Sequence, residues 1–397
     1  MRGRNLRLML MMFVQNMTFP VWFNTVIPYV KTMQGGDAWV PRCGMLMGVG
    51  MFASPLVCMF ADRFLDSGKV LALCNFVAAA ALSAAYFAVD PGRLYLLLLL
   101  ATVALMPTWS VAAAIAMAHA PTSSFPYIRA CGSVGWAASA VFSVVAIRWF
   151  GVADFDKSPL ILAAGAAVSV AGGLVALLMP PTPPKAKGTP MSVADALGLR
   201  ALTLLGRREF LVFSAVLLLG MVPFQWYMSY NTMYLDESGF TYLNLVQNLG
   251  QVAELGFMLV LPFILRRCGY KRSMVLGLGV LAARYGFFLA GAATGVHAFD
   301  FCGILLHGLI FGILIVGAQM YAAESAPEEL RNQAQGYVML LTAGVGGFLS
   351  VGVFDAILSA NTLPDGAHDW TVPFAVALAV SLAAAALMAL CFRPRAR

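Results

Sequence analysis

Charge is scarce in this chain. Only 11% of its 397 residues are Asp, Glu, Lys or Arg, while 61% are hydrophobic; soluble domains carry roughly a quarter charged residues. So few ionisable groups cannot cover a water-facing surface, and a soluble globular protein is excluded. Histidine is rarer still, with four in the whole sequence, and none joins Cys, Asp or Glu at metal-ligand spacing. The cysteines at 43, 58, 74, 131, 268, 302 and 391 form no CxxC pair. Neither a disulfide framework nor a metal centre is expected, and the thiols read as small buried apolar groups. There is no GxSxG and no Ser–His pair on a common face. Gly344, Gly346 and Gly347 are followed by neither a strand nor Lys-Ser/Thr, so they read as helix-packing positions and not as a phosphate loop. No enzyme, cofactor, metal or nucleic-acid partner is indicated.

Long apolar runs are abundant, and mean hydropathy is +0.82. Segments of roughly 20 apolar residues, enough to cross a hydrocarbon core of about 30 Å, recur at 8–30, 42–61, 69–89, 94–118, 127–148, 159–180, 210–234, 243–265, 273–293, 300–322, 333–356 and 371–392. An all-α membrane protein of about twelve transmembrane helices is therefore expected. One connection differs from the rest: 181–208 is proline-rich, then basic, and 193–205 is expected to form an amphipathic surface helix. It separates an N-terminal six-helix bundle, 1–180, from a C-terminal six-helix bundle, 209–397, with 181–208 as a cytoplasmic linker. Two six-helix pseudo-repeats are the layout of secondary transporters, where the solute binds near the midplane and access alternates.

The basic residues set the orientation. Arg2, Arg4, Arg7, Arg63, Lys69, Lys185, Lys187, Arg200, Arg207, Arg208, Arg266, Arg267, Lys271, Arg272, Arg331, Arg393, Arg395 and Arg397 fall on one side of the predicted spans. Only Lys31, Arg42, Arg93, Arg148 and Lys157 fall on the other, among most of the Asp residues. Both termini are expected in the cytoplasm, in a multi-pass inner-membrane protein. The net charge of +7 then belongs to short loops facing anionic lipid. No small-residue cleavage site follows the first apolar run, which reads as a span.

Inside 243–265 lies a polar stripe: Asn244, Gln247, Asn248, Gln251 and Glu254. Spacings of three and four put these residues on one helical face, where a carboxylate is costly unless it meets water or a partner. Glu254 lies about eleven residues into its span, roughly 16 Å at 1.5 Å per residue, near the midplane. It reads as a proton carrier, as a structural partner of Arg284 or Arg129, or as a solute contact. Gln15, Thr18, Trp22 and Thr25 share a face of the first span, which Pro20 and Pro28 are expected to bend. Solute contact and interhelix hydrogen bonding are both open for that face.

Two loops, Ala61-Asp62-Arg63-Phe64-Leu65-Asp66-Ser67-Gly68-Lys69 and Leu265-Arg266-Arg267-Cys268-Gly269-Tyr270-Lys271-Arg272, occupy equivalent places in the two halves. Both resemble the charged loop of the major facilitator superfamily, which implies that fold. Asp62, Arg63 and Arg331 are the expected cytoplasmic gate, with Asp62 as an anion at a positive helix terminus.

The stretch Phe125-Pro126-Tyr127-Ile128-Arg129-Ala130-Cys131-Gly132-Ser133-Val134-Gly135-Trp136 is similar to a signature of the nucleoside:proton symporter family within that superfamily. So are Met106-Pro107-Thr108, Gln251 with Glu254, Arg284, Ala334-Gln335-Gly336 and Asp369-Trp370, in the same order along the chain. The resemblance implies nucleoside contact by Arg129, Ser133, Trp136, Gln251, Glu254 and Phe311. An aromatic face with a few polar groups suits a base and ribose. For Arg129, snorkelling to lipid headgroups is the alternative.

The chain departs from the family at three places. Phe224 and Tyr227 stand where the family has amides, His307 where it has an aromatic hydroxyl, and Gly312 where it has an acidic residue implicated in proton coupling. Glu254, assisted by His307, is then the expected proton carrier. The candidate solute site comprises Arg129, Ser133, Trp136, Phe224, Tyr227, Gln247, Gln251, Glu254, His307 and Phe311. The expected function is nucleoside import with protons by a monomeric carrier. A porter for a sugar or another small polar solute is the alternative.

Overall fold

The computed structural model describes residues 2–121, 124–184, 199–364 and 366–393. These are almost wholly helical, apart from one isolated bridge between Thr362 and His368. Among the described residues, nine helices are long and apolar enough to cross a membrane, or ten if the bent pair Gly36–Gly44 and Leu46–Cys58 is one span. The other two expected segments are helical in interrupted form. At the start of the chain, Arg2–Met17 gives way to Pro20–Phe23 and Val26–Lys31. Pro20 lacks the N–H that would continue the first helix and instead opens the next turn. The 243–265 segment runs on into its successor as Leu243–Thr294, broken at Gly269, where φ is 69° and ψ is 169°. Such a backbone favours glycine, so a single residue makes the turn expected of the charged loop 265–272. Of the surface helix expected at 193–205, residues 193–198 lie outside the described residues. Leu199–Gly206 is a 3-10 helix.

The chain divides into two compact units, Met1–Ser192 with Thr241–Asn248, and Val193–Phe240 with Leu249–Arg397. In the first, Ser67–Tyr86 packs on Pro91–His119 and Leu160–Leu177, and Arg2–Met17 packs on Phe125–Ala138. The latter pair approaches closely because Gly135 has no side chain: a Cβ there would lie 2.0 Å from the Phe13 carbonyl oxygen. A buried amide web joins three of these helices. Gln15 Nε2 donates to Thr108 Oγ1 at 2.8 Å, and Asn75 Nδ2 donates to Gln15 Oε1 at 2.8 Å. Interhelix bonding thus claims Gln15. Thr108→Val, nearly equal in shape, removes the acceptor and leaves a buried N–H underserved. A loss of about 1–2 kcal/mol is expected, read as a lower melting temperature of the purified protein with its fold intact.

The loop before Ser67–Tyr86 is held by Asp66. Its carboxylate accepts from the N–H of Gly68 at 2.9 Å, of Lys69 at 3.4 Å, and of Thr182. This is an N-cap in which an anion satisfies otherwise orphaned donors.

In the second unit, Arg208–Glu237 is the central helix, packed on Gly346–Ala360 and Thr371–Cys391. Trp226 stacks on Phe354 with centroids 4.5 Å apart. Tyr234 donates to Asp300 at 2.7 Å and Trp370 Nε1 to Glu237 at 2.8 Å. Two stretches, Gly312–Gly317 and Leu340–Val345, are π-helical, a conformation frequent at functional positions. Only Cys43 is buried; Cys302 and Cys391 are exposed and the other cysteines lie between. Where lipid is the solvent, an apolar thiol needs no protein cover, which corrects the expectation of general burial.

Candidate functional site

In the second unit, the candidate residues gather at a helix crossing. A Cβ on Gly308 would lie 2.4 Å from both the N and Cα of Glu254, and one on Gly250 would lie 2.8 Å from His307 Cβ. The two backbones therefore touch where glycine removes the side chains, and their polar residues meet. Gln251 Nε2 and His307 Nε2 are 2.9 Å apart. Whichever way the amide is turned, one group donates and the other accepts. Glu254 Oε2 lies 4.0 Å from the same imidazole nitrogen. Glu254 is 4% and His307 1% exposed, so the carboxyl and the imidazole share a desolvated place.

Aromatic rings frame this group. His307 faces Phe224 at 5.7 Å and 19°, Tyr227 at 5.6 Å and 30°, and Phe311 at 6.0 Å and 30°. Phe224 and Tyr227 follow Pro223 in the middle of Arg208–Glu237, which turns them to His307 from one side. Near-parallel rings beside an amide, an imidazole and a carboxyl can hold a planar, hydrogen-bonding heterocycle. His307→Phe keeps the ring and removes the bond to Gln251. Solute binding by the purified variant is expected to weaken about tenfold, the value of a buried hydrogen bond.

Arg284 is fully buried and packs behind Tyr227, its guanidinium carbon 4.0 Å from that ring's centroid. Its Nε donates to the Gly303 carbonyl at 3.2 Å. Both η nitrogens lack a partner among the described residues, so the ion pair with Glu254 that the sequence left open is not formed.

The first unit holds Arg129, Ser133 and Trp136 on Phe125–Ala138, one face at i, i+4 and i+7. Arg129 is exposed, and Ser133 and Trp136 are half-buried. The guanidinium leans along the helix over Gly132, where a Cβ would lie 3.0 Å from Arg129 Nη1 and 2.7 Å from Asn16 Nδ2. Trp136 meets Trp109 at 5.6 Å and Phe19 at 6.5 Å. Trp109 and Phe19 escaped the sequence reading; Trp109 directly follows the Met106-Pro107-Thr108 motif, the one hint available.

The polar stripe is divided. Gln247, buried, lies with Asn244 and Asn248 in the segment that belongs to the first unit. There Asn24 Nδ2 donates to Asn244 Oδ1 at 2.8 Å, and Asn248 Nδ2 donates to Ser139 Oγ at 3.1 Å. Gln251 and Glu254 belong to the second unit. Of the expected gate, Arg63 is half-buried and Arg331, exposed, begins Arg331–Met339. The side chain of Asp62 lies outside the described residues.

Several known proteins resemble this chain along most of its length. YegT of Escherichia coli (strain K12) is 35% identical over 86% of this chain and 82% of its own length. The nucleoside permease NupG of the same organism is 24% identical over 92% of this chain and 90% of its own. A crystal structure of the nucleoside transporter NupG superposes with a TM-score of 0.84, covering 98% of this chain and 99% of that one at 22% identity. The D-xylose-proton symporter superposes with a TM-score of 0.76 at 12% identity over 98% and 97% of the two chains. These likenesses show the major facilitator fold of a multi-pass membrane transporter. The profile of the Nucleoside H+ symporter family matches residues 2–397, and the chain belongs to that family.

Proposed function

We propose that this protein imports nucleosides together with protons by alternating access. It works as a monomer in the inner membrane with both termini cytoplasmic, the orientation that its basic loops favour. The observation that carries the reading is the Glu254–His307–Gln251 group, a buried carboxyl 4.0 Å from an imidazole within near-parallel rings, in a chain of this family. Neutral, the carboxyl is tolerated in a desolvated site; ionised, it needs water or a cation. A proton taken up with the solute on one side and released on the other therefore ties the two fluxes together. Gly312 cannot titrate, which leaves Glu254 as the carrier, with His307 beside it. Arg129, Ser133, Trp136, Gln247, Phe224, Tyr227 and Phe311 contribute the remaining solute contacts, and Asp62, Arg63 and Arg331 the cytoplasmic gate. The parts that move are the six-helix bundles 1–180 and 209–397, joined by the linker 181–208.

The test is uptake of labelled uridine and adenosine into vesicles under an inward proton gradient, with nucleosides and free sugars as competitors. Gradient-driven nucleoside uptake that sugars do not inhibit is expected. Uptake driven equally without a gradient, or displaced by sugars and not by nucleosides, overturns the reading.

A further inference from the structure

We propose that Arg284 receives an anionic edge of the solute, so that this chain prefers nucleosides whose base ionises near neutrality. The inference deepens the nucleoside reading above and rests on it.

A guanidinium stays charged at any accessible pH. Arg284 is 0% exposed in the span Phe263–Thr294, where an unneutralised cation is costly. The protein supplies little compensation. Nε has the Gly303 carbonyl, and the faces of Tyr227 and Phe224 lie at 4.0 and 5.9 Å. Nη1 and Nη2 find no acceptor among the described residues. The unit's buried and half-buried acids nearby are engaged elsewhere: Asp300 with Tyr234 at 2.7 Å, Asp355 with Tyr230 at 3.3 Å, and Glu254 beside His307 at 4.0 Å. A buried cation with two free, coplanar donors fits a delocalised planar anion, which it can bind through parallel hydrogen bonds.

The neighbours favour a flat ligand. The Tyr227 ring has the guanidinium at 4.0 Å and the His307 ring at 5.6 Å, so Arg284 and the Gln251–His307–Glu254 group share a neighbouring ring. The Tyr227 hydroxyl also lacks a partner among the described residues. No hydrogen bond among these residues holds that ring, so a turn of Tyr227 on solute entry would open the η nitrogens to a base without breaking one. An ionised imide, O=C–N⁻–C=O, offers the matching edge.

Uridine and 6-azauridine test this, since they have nearly the same shape but only the second has an imide that ionises near neutrality. Binding of each to the purified full-length protein is measured by calorimetry at acid and at mildly alkaline pH, where 6-azauridine but not uridine is ionised. At alkaline pH, 6-azauridine is expected to bind at least about tenfold tighter, as for a hydrogen bond to a charged group. At acid pH, where both are neutral, the preference disappears. Arg284→Gln removes the preference at alkaline pH, and Arg284→Lys, which keeps the charge without the fork, retains part of it. Equal affinities at alkaline pH in the wild type, or a preference that survives Arg284→Gln, overturn the proposal. The wild-type comparison decides alone if a variant fails to fold. Replacing chloride by gluconate tests an inorganic occupant: uridine binding that requires chloride, with no preference for 6-azauridine, assigns Arg284 to that ion and overturns the solute role. Binding of uridine and adenosine without the preference defeats this inference and leaves the nucleoside reading intact. Failure of every nucleoside to bind defeats both.

Discussion

Glu254→Gln abolishes proton-driven accumulation while exchange of labelled for unlabelled solute continues. The substitution keeps the size and most hydrogen-bonding capacity of the side chain and removes its ability to take and lose a proton. A gradient of one pH unit is worth about 1.4 kcal/mol per proton, which sustains about tenfold accumulation when one proton accompanies each solute. Across two units the wild type is expected to concentrate solute about 100-fold, and the variant to stop near equality. Counterflow in the same vesicles is the control, because it needs solute binding and the conformational cycle but no net proton movement. Accumulation by Glu254→Gln that tracks the pH gradient as in the wild type would rule out the carrier role.

Gly308→Ala is the second large effect expected. A methyl group at Gly308 would lie 2.4 Å from the N and Cα of Glu254. Because those are backbone atoms, relief requires the helices to part. Overpacking of this kind costs about 1–3 kcal/mol or more, and it separates His307 from Gln251 at the site. Solute binding is expected to fall by at least about tenfold, with a lowered melting temperature. Gly256 lies in the same helix as Glu254, and a Cβ there meets nothing within 4 Å. Gly256→Ala should therefore be neutral or stabilise by about 0.5–1 kcal/mol, since it only removes a mid-helix glycine. If Gly308→Ala bound solute with wild-type affinity, the crossing would not be what positions Glu254.

Much of this architecture was open to reading in the chain. The apolar runs were legible because hydrocarbon tolerates no unsatisfied backbone, so a crossing segment must be largely helical and of predictable length. Pro20 announced the break after Met17 through its missing N–H. The polar face from Asn244 to Glu254 followed from helical periodicity alone. The turn at Gly269 was less visible, since one left-handed residue replaces what composition presents as a loop of charges.

The side-chain partners were not legible, and particular residues show why. Asp62 and Asp66 stand in one loop and look equivalent in sequence. Asp66 caps the next helix, because it sits where Gly68 and Lys69 present free N–H groups. Gln15 and Gln251 are both amides on polar helical faces. One is consumed by Thr108 and Asn75, and the other faces His307, a difference set by neighbours distant in the chain. Phe224 and Tyr227 read as departures from a polar pattern; in the fold they wall in the His307 imidazole. Arg284 seemed a natural partner for Glu254, yet its guanidinium lies against the Tyr227 ring, and its Nε donates to the Gly303 carbonyl.

What the sequence by itself determined, then, is that the chain is built of long apolar helices and which faces of those helices are polar. Backbone hydrogen bonding and the 3.6-residue period act within a segment, so local composition suffices to reveal them. Tertiary structure alone decided which polar groups are satisfied by one another and which keep capacity for a solute or a proton. That outcome depends on distances of about 3 Å between helices remote in the chain, and here on glycines that allow two backbones to touch.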